Sequence, residues 1–351
     1  MNNEVFKGRG SKIAPHNPYL KRREVTEHIE GLDEEKHIEK PVTKFYQEHS
    51  KKALSINDSP DLPLNYSVNP YQGCEHGCVY CYARNSHQYW GFDAGLGFET
   101  NIIIKSDIDQ VLRKQFKAKT YQPKPIMLSG NTDCYQPVEK KHQLTRKILK
   151  LCLEVGHPVS VITKNSLIQR DEELLEQLAS KRLVHVYFSL NHLDPHLKAK
   201  LEPRTATAQK KLSLIQRFSE RGIPCGVMVA PLIPALNTQD IPEILRLSAE
   251  AGALAAGYTV VRLNGNVKEV FRSWIYEAFP DRATKVLHQI EQMHGGKLND
   301  TEWGRRIKGN GPIATMIHQL FTKSRDYFMK DRCMPEFDLS AFNAHGQLRL
   351  F

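Results

Sequence analysis

Residues 69–84 read NPYQGCEHGCVYCYAR and contain three of the seven cysteines of the chain, Cys74, Cys78 and Cys81. The spacing is C-x3-C-x2-C, and an aromatic residue, Tyr80, directly precedes the third cysteine. Three thiolates so close in sequence can each bind one iron of a [4Fe–4S] cube, which leaves the fourth iron free to bind a small molecule. We therefore interpret the motif as the ligand set of a site-open iron–sulfur cluster.

Zinc binding and simple burial account less well for the cysteine motif. A structural zinc site needs a fourth ligand, for which His76 and His87 are near, but a second C-x2-C pair is missing. Ordinary buried cysteines are a poor account of three in eight residues among Gly, His and Tyr. The motif therefore favours the cluster.

The composition is that of a globular protein with a substantial core. The chain has 351 residues and a hydrophobic fraction of 40%, enough for one large α/β domain with additional segments. The polar start of the chain lacks the apolar segment of a secretory signal, and no run of about 18 apolar residues occurs. An odd number of cysteines without such a signal indicates reduced thiols and metal binding. We expect a cytoplasmic protein that does not enter a membrane.

From Tyr66 onward, short β-rich runs alternate with helical patterns. Almost continuously apolar runs are typical of parallel strands that are covered on both faces. Six β-then-α repeats predict an open parallel sheet or a partly closed barrel, and both place reactive residues at the carboxyl ends of the strands. The predicted strands are 66–69, 125–130, 158–164, 184–190, 225–231 and 258–264. Polar residues follow several of these strands, namely Ser129 to Asp133, Lys164, Ser189, Asn191 and Asn237.

The segments on either side of the repeats differ from them. Residues 1–63 are polar and interrupted by Gly and Pro, which predicts an irregular arm with a short helix near 42–50. Residues 64–265 carry the repeats. Residues 266–351 predict a mostly helical extension that ends in a short β-like tail, with helices at 266–278, 281–293 and 313–331.

The cysteine motif, its place after a first strand and the six β/α units resemble the radical S-adenosylmethionine (radical SAM) superfamily. The resemblance implies a partial (β/α)6 TIM-like barrel, a [4Fe–4S] cluster and SAM, with SAM bound at the open iron. It further implies reductive cleavage of SAM to a 5′-deoxyadenosyl radical that abstracts hydrogen, with an electron donor such as flavodoxin or ferredoxin. The stretches 129–139, 161–165, 188–206 and 227–237 are similar to the DNA repair photolyase-type branch, relatives of spore photoproduct lyase.

The resemblance also assigns roles to residues of this chain. Tyr80 is expected to contact the adenine of SAM, and Ser129, Gly130 and the residues through Asp133 are expected to bind the SAM amino group. Lys164 and Ser189 match the residues that hold the SAM carboxylate. The remaining candidates for SAM binding are Arg204, which is expected to meet the carboxylate or the ribose, and Asn191 at a strand end.

The hydrogen donor is where the chain departs from the branch. Spore photoproduct lyase uses a cysteine near the end of its second strand, and alignment of the Asp of both motifs puts that position near Gly130. Cys134 lies a few residues later and is the catalytic candidate for returning a hydrogen atom.

Charge and the carboxyl terminus suggest partners. The net charge is +10, and residues 105–150 hold eleven Lys or Arg against four Asp or Glu. Residues 196–221 hold seven against two, so that these blocks are either nucleic-acid contacts or solvated helix faces. The last five residues, Gln347 to Phe351, resemble the Q-L-x-L-F peptide with which bacterial DNA-maintenance proteins bind the sliding clamp.

These features favour a radical SAM enzyme that acts on a nucleic acid. Two alternatives remain open from the sequence: the same chemistry on a protein or small metabolite, and a non-enzymatic iron–sulfur or zinc module.

Overall fold

The computed structural model describes residues 7–20, 40–61 and 65–344. The strands are β1 Lys44–Glu48, β2 Leu54–Ile56, β3 Tyr66–Val68, β4 Tyr71–Gln72, β5 Asn101–Lys105, β6 Ile126–Leu128, β7 Val159–Thr163, β8 Val184–Ser189, β9 Cys225–Leu232 and β10 Ala255–Val260. The helices are α1 Leu96–Thr100, α2 Ile108–Phe116, α3 Glu139–His142, α4 Leu144–Val155, α5 Glu172–Ser180, α6 Pro195–Leu201, α7 Ala208–Glu220, α8 Ile241–Glu250, α9 Val267–Ala278, α10 Pro280–Met293 and α11 Gly311–Phe328. Three 3-10 helices lie at Tyr82–Trp90, Ser166–Asp171 and Thr238–Asp240.

The main sheet has seven strands in the order β10-β9-β8-β7-β6-β3-β2. Neighbours from β3 to β10 are parallel, and β2 adds one antiparallel strand at the edge. Helices connect successive parallel strands, and their apolar faces cover strands that are buried on both sides, as in Val159–Thr163. All six predicted strands are present, although β10 begins three residues earlier than expected. The predicted partial (β/α)6 barrel is confirmed.

A second, smaller sheet joins part of the arm to the barrel. Its order is β1-β5-β4, with β1 parallel to β5. The helix predicted near 42–50 is therefore wrong, because these residues form the strand β1. Phe45 pairs with Ile102 and Gln47 with Ile104. The structure of β1 therefore depends on a partner strand about 57 positions away, which no local sequence pattern can report.

The carboxyl-terminal extension is helical, as predicted. Its helices α9 and α10 build a second hydrophobic cluster together with residues of the cysteine loop, while α11 packs on α8 at the edge of the main core. The described part of the tail, 333–344, forms no strand, and Asn343 donates its backbone N–H to the Val155 carbonyl at 2.8 Å. Gln347 to Phe351 lie outside the described residues. None of the helices in the described ranges has the length and apolar character of a membrane span.

Candidate active site

The cysteine loop lies between β4 and the 3-10 helix that begins at Tyr82. The Cys74 N–H donates to the Phe98 carbonyl at 2.9 Å, and the Val79 N–H to that of Leu201 at 3.3 Å, so both ends of the loop are fixed. Cys74 and Cys78 are buried and Cys81 is partly exposed, and all three are free thiols. The three thiols lie close enough together to influence one another's pKa, and Lys164 at the end of β7 influences that of Cys78 and Cys81.

The surroundings of the three thiols favour the binding of positively charged metal ions in place of the thiol protons. Burial raises the pKa of the Cys74 and Cys81 thiols, and the negative charge of neighbouring thiolates adds to the rise for Cys74. Within the described ranges, no group of three His, Cys, Asp or Glu side chains converges on a single metal ion. A [4Fe–4S] cube differs in that each thiolate binds a different iron. Three free thiols in one loop, two of them buried, form a donor set that fits such a cube.

The amino-terminal arm packs against the cysteine loop and holds it in place. The N–H groups of Gly10 and Ser11 donate to the two carboxylate oxygens of Glu99 at 2.9 and 2.8 Å. Glu99 also pairs with the buried Arg84 at 2.6 Å, and Arg84 donates to the Cys78 carbonyl at 3.0 Å. Contact is so close that a Cβ at position 10 would lie 1.6 Å from the carbonyl oxygen of Gly77 in the loop. Only glycine fits at position 10.

Asp133 connects the turn after β6 to the end of β7. Its carboxylate accepts the Thr163 hydroxyl at 2.8 Å and the Lys164 N–H at 2.7 Å, and it lies 3.4 Å from Nδ1 of His76 in the cysteine loop. These contacts use both oxygens. Asp133 therefore positions Lys164 and the loop.

Lys164 and Ser189 lie side by side at the ends of β7 and β8. The Lys164 ammonium donates to the Ser189 hydroxyl at 2.5 Å, and Ser189 donates to the Ala230 carbonyl at 3.1 Å. Burial opposes the charge of Lys164, but the negative charges of Glu202, Cys78 and Asp133 together outweigh it and raise the pKa of Lys164. A charged ammonium beside a hydroxyl at the carboxyl edge is suited to bind a carboxylate.

Glu202 is a positioning residue that the sequence reasoning missed. It is fully buried, its Oε1 lies 3.1 Å from the Lys164 ammonium, and it accepts the hydroxyl of Tyr80. Lys211, which is also fully buried, lies 3.7 Å from its other oxygen, and burial lowers the pKa of Lys211 to about 8. Burial disfavours the Glu202 carboxylate, but the two lysines keep its pKa well below the usual value. The only signal in the sequence was its place in the stretch 188–206.

The remaining predicted SAM ligands lie near Lys164 and Ser189, and each of them contacts another group of the protein. The centre of the Tyr80 ring lies 5.7 Å from the Lys164 ammonium, and the Tyr80 hydroxyl is directed to Glu202. Arg204 lies 3.9 Å from the Glu75 carboxylate, and Asn191 donates to the Pro231 carbonyl at 3.0 Å.

The turn after β6 approaches the 3-10 helix. Ser129 has a positive φ of 78° and accepts the Cys134 N–H at 2.7 Å, which tightens the turn. A Cβ on Gly130 would lie 2.6 Å from Cβ of Ser67, and the Gly130 carbonyl accepts the hydroxyl of Tyr82 at 2.5 Å.

Cys134 lies in the main hydrophobic core, directly after Asp133. Its side chain is fully buried in the main hydrophobic core, and burial together with the Asp133 carboxylate raises the pKa of the thiol well above its usual value. The carbonyl of Cys134 accepts the hydroxyl of Thr145 at 2.6 Å, which fixes the residue against α4. The thiol is therefore shielded from solvent, and its role as hydrogen donor stays a prediction.

The comparisons with known proteins agree with this geometry. The model of the radical SAM superfamily matches residues 68–248. An uncharacterised protein of Mycobacterium tuberculosis is 33% identical over 244 residues, which cover 69% of this chain and 72% of that protein. An uncharacterised protein of Methanocaldococcus jannaschii is 26% identical over 227 residues, or 64% of this chain and 81% of that protein.

Among solved structures, a mutant spore photoproduct lyase with bound AdoMet and dinucleoside spore photoproduct has a TM-score of 0.58 at 16% identity. The match covers 82% of this chain and 80% of the lyase chain, and it establishes the shared fold. A non-enzymatic iron–sulfur or zinc module is excluded by the family match. The chain belongs to the radical SAM superfamily and is an enzyme.

Proposed function

We propose that the protein holds a site-open [4Fe–4S] cluster on Cys74, Cys78 and Cys81 and binds SAM beside it, for hydrogen abstraction from a nucleic acid. When bound, the reduced cluster and SAM supply a 5′-deoxyadenosyl radical. The observation that carries the proposal is that the cysteine loop and the Lys164–Ser189 pair are linked by Glu202 at one edge of the sheet.

Each residue of this centre has a separate task. The Lys164 ammonium and the Ser189 hydroxyl hold a carboxylate, which in SAM belongs to the methionine part. Glu202 keeps Lys164 charged and oriented, and Asp133 fixes the backbone at Lys164. The low exposure of this region excludes water from the bound groups.

A nucleic acid is the substrate class that we favour. The support is the net charge of +10 and the resemblance of stretches such as 188–206 to the DNA repair photolyase-type branch. The solved structure of the spore photoproduct lyase with a similar fold holds a dinucleoside spore photoproduct. We further propose that the protein is cytoplasmic and receives electrons from a donor such as flavodoxin or ferredoxin. It would also bind a sliding clamp through Gln347–Phe351.

The decisive experiment is anaerobic reconstitution with iron and sulfide, reduction with dithionite, and measurement of 5′-deoxyadenosine after addition of SAM. We expect Cys78→Ala to lose bound iron. Lys164→Met should keep iron but bind SAM about tenfold or more weakly, because the carboxylate loses its cation. The matched control is Lys114→Met, on the exposed face of α2. A fully loaded protein that never cleaves SAM would contradict the proposal.

A further inference from the structure

A loop between α10 and α11 joins the two ends of the main sheet. The Ile307 carbonyl accepts the Val260 N–H at 2.9 Å, at the end of β10. On the other side, Asp61 accepts the Gly304 N–H at 2.6 Å and Nε of Arg306 at 2.7 Å. Asp61 lies between β2 and β3, at the opposite end of the strand order. Residues 303–307, here named the crossing loop, therefore span the opening of the partial barrel.

Arg262 lies next to the crossing loop, two residues after β10. It is half-buried, and within the described ranges it has neither a hydrogen-bond nor an ion-pair partner. Burial and the positive charge of Arg306 both lower the pKa of Arg262, while Tyr82 and Asp61 raise it. Because Asp61 already accepts from Arg306 and Gly304, the two guanidinium groups carry more positive charge than this carboxylate neutralises. Such a pair is suited to bind an anion.

Arg262 lies beside the proposed active site, close enough to Tyr82 that the two influence each other's pKa. Asn85 donates to the Asn264 carbonyl at 2.9 Å and accepts the Asn266 N–H at 3.0 Å. Asn85 belongs to the 3-10 helix that follows Cys81, so the loop after β10 is fixed against the element that carries Tyr82. An anion held by Arg262 would therefore lie beside the cysteine loop.

Aromatic rings accompany these charges. Trp303 is 57% exposed, and Cζ of Arg306 lies 3.9 Å from the centre of its ring. Tyr82 is 50% exposed. Exposed rings that alternate with arginines suit the bases and phosphates of a nucleic acid, whereas a lipid headgroup or a phosphorylated side chain offers no base to stack.

Two arginines of the basic blocks that the sequence singled out are less suited to this task. Arg113 forms a two-bond pair with Glu154 at 2.6 Å, and Arg217 pairs with Glu172 at 2.8 Å. These two residues lie on the helices α2 and α7. The charge of each of these two arginines is therefore balanced by a carboxylate.

We propose that Arg262, Arg306 and Trp303 form a nucleic-acid-binding surface, in which Arg262 holds a backbone phosphate and Trp303 stacks on a base. The inference rests on the proposed function, since it names the part of the molecule that would hold the nucleic-acid substrate over the active site.

The test measures binding of short fluorescent single-stranded and duplex DNA to the cluster-loaded, full-length protein at several salt concentrations. Arg262→Gln should weaken binding about tenfold and reduce the slope of log K against log salt by about one, as expected for one lost phosphate contact. Trp303→Ala should weaken single-strand binding about tenfold with an unchanged salt slope. Arg113→Gln, on the outer helix α2, is the matched control and should bind as the wild type does.

Bound iron and thermal melting of each variant establish that it folds. Arg262→Lys should restore most of the salt slope, which a purely structural role would not explain. Wild-type binding by both Arg262→Gln and Trp303→Ala would overturn the inference. Inorganic phosphate that displaces the oligonucleotide at an equal concentration would also overturn the inference, because the site would then bind free phosphate and not a nucleic acid. If the wild type cleaves SAM but binds no DNA, the proposed substrate class itself fails, and the result is distinct from a failure of this surface.

Discussion

Glu202 lies 3.1 Å from the Lys164 ammonium, and the same buried carboxylate accepts the hydroxyl of Tyr80. The residue before the third cysteine is thereby connected to the cation proposed for SAM binding. One carboxylate thus couples the cluster loop to the end of β7. Two lysines, Lys164 and Lys211, depend on it for their counter-charge.

Glu202→Gln should destabilise the protein and weaken SAM binding together. Removal of one partner leaves two buried ammonium groups without a carboxylate, which costs about 3 to 5 kcal/mol in the free energy of unfolding. Denaturant unfolding and SAM titration measure the two effects. The control is Glu243→Gln, which breaks an exposed pair with Arg246 and should leave the free energy of unfolding almost unchanged. Equal stability of the two variants would show that Glu202 does not hold this network.

Gly10→Ala should reduce cluster loading. The added Cβ would occupy the place of the Gly77 carbonyl, so the arm or the cysteine loop must move. We expect loss of most of the iron and sulfide per chain after reconstitution. Ser11→Ala is the control, because its backbone N–H to Glu99 remains. If Gly10→Ala retains a full complement of iron, the arm is not needed to shape the loop.

His157 should make folding stability depend on pH. Burial lowers the pKa of His157 to about 4, from the usual 6.5. The unfolded chain therefore binds a proton between pH 6.5 and 4 while the folded chain does not, so stability falls as the pH falls through this window. The expected loss is about 3 kcal/mol.

The measurement compares urea unfolding of the wild type and His157→Asn from pH 7 to about 4. Their free energies of unfolding should converge as the pH falls, since the variant lacks this proton. His196→Asn, at an exposed position, should follow the wild type at every pH. Parallel curves for the wild type and His157→Asn would contradict the assignment.

Deletion of residues 347–351 should abolish binding to a bacterial sliding clamp and leave SAM cleavage unchanged. The physical reason is that Leu350 and Phe351 supply the apolar anchors of the resembling peptide. Surface plasmon resonance with immobilised clamp measures binding, and replacement of 347–351 by five serines controls for length. Undiminished binding by the truncated chain would eliminate the clamp peptide.

Local sequence determined much of the fold. The apolar runs 158–164 and 184–190 are strands because their hydrophobic residues need cover on both faces, and the helices at 266–278 and 281–293 follow from their own periodicity. The sequence predicts a helix where β1 lies, because the strand depends on pairing with β5 and no local pattern reports that pairing.

The cysteine motif and the strand-end residues Lys164 and Ser189 were likewise visible in the sequence, since spacing and position relative to strands are local properties. Only the tertiary structure decided what surrounds them. It brings Glu202 and Lys211 to Lys164, packs Gly10 against Gly77, and buries Cys134 in the core. It also places Arg306 beside Asp61 across the opening. These contacts join residues that are far apart in the chain, and burial and charge compensation become defined only when the chain is folded.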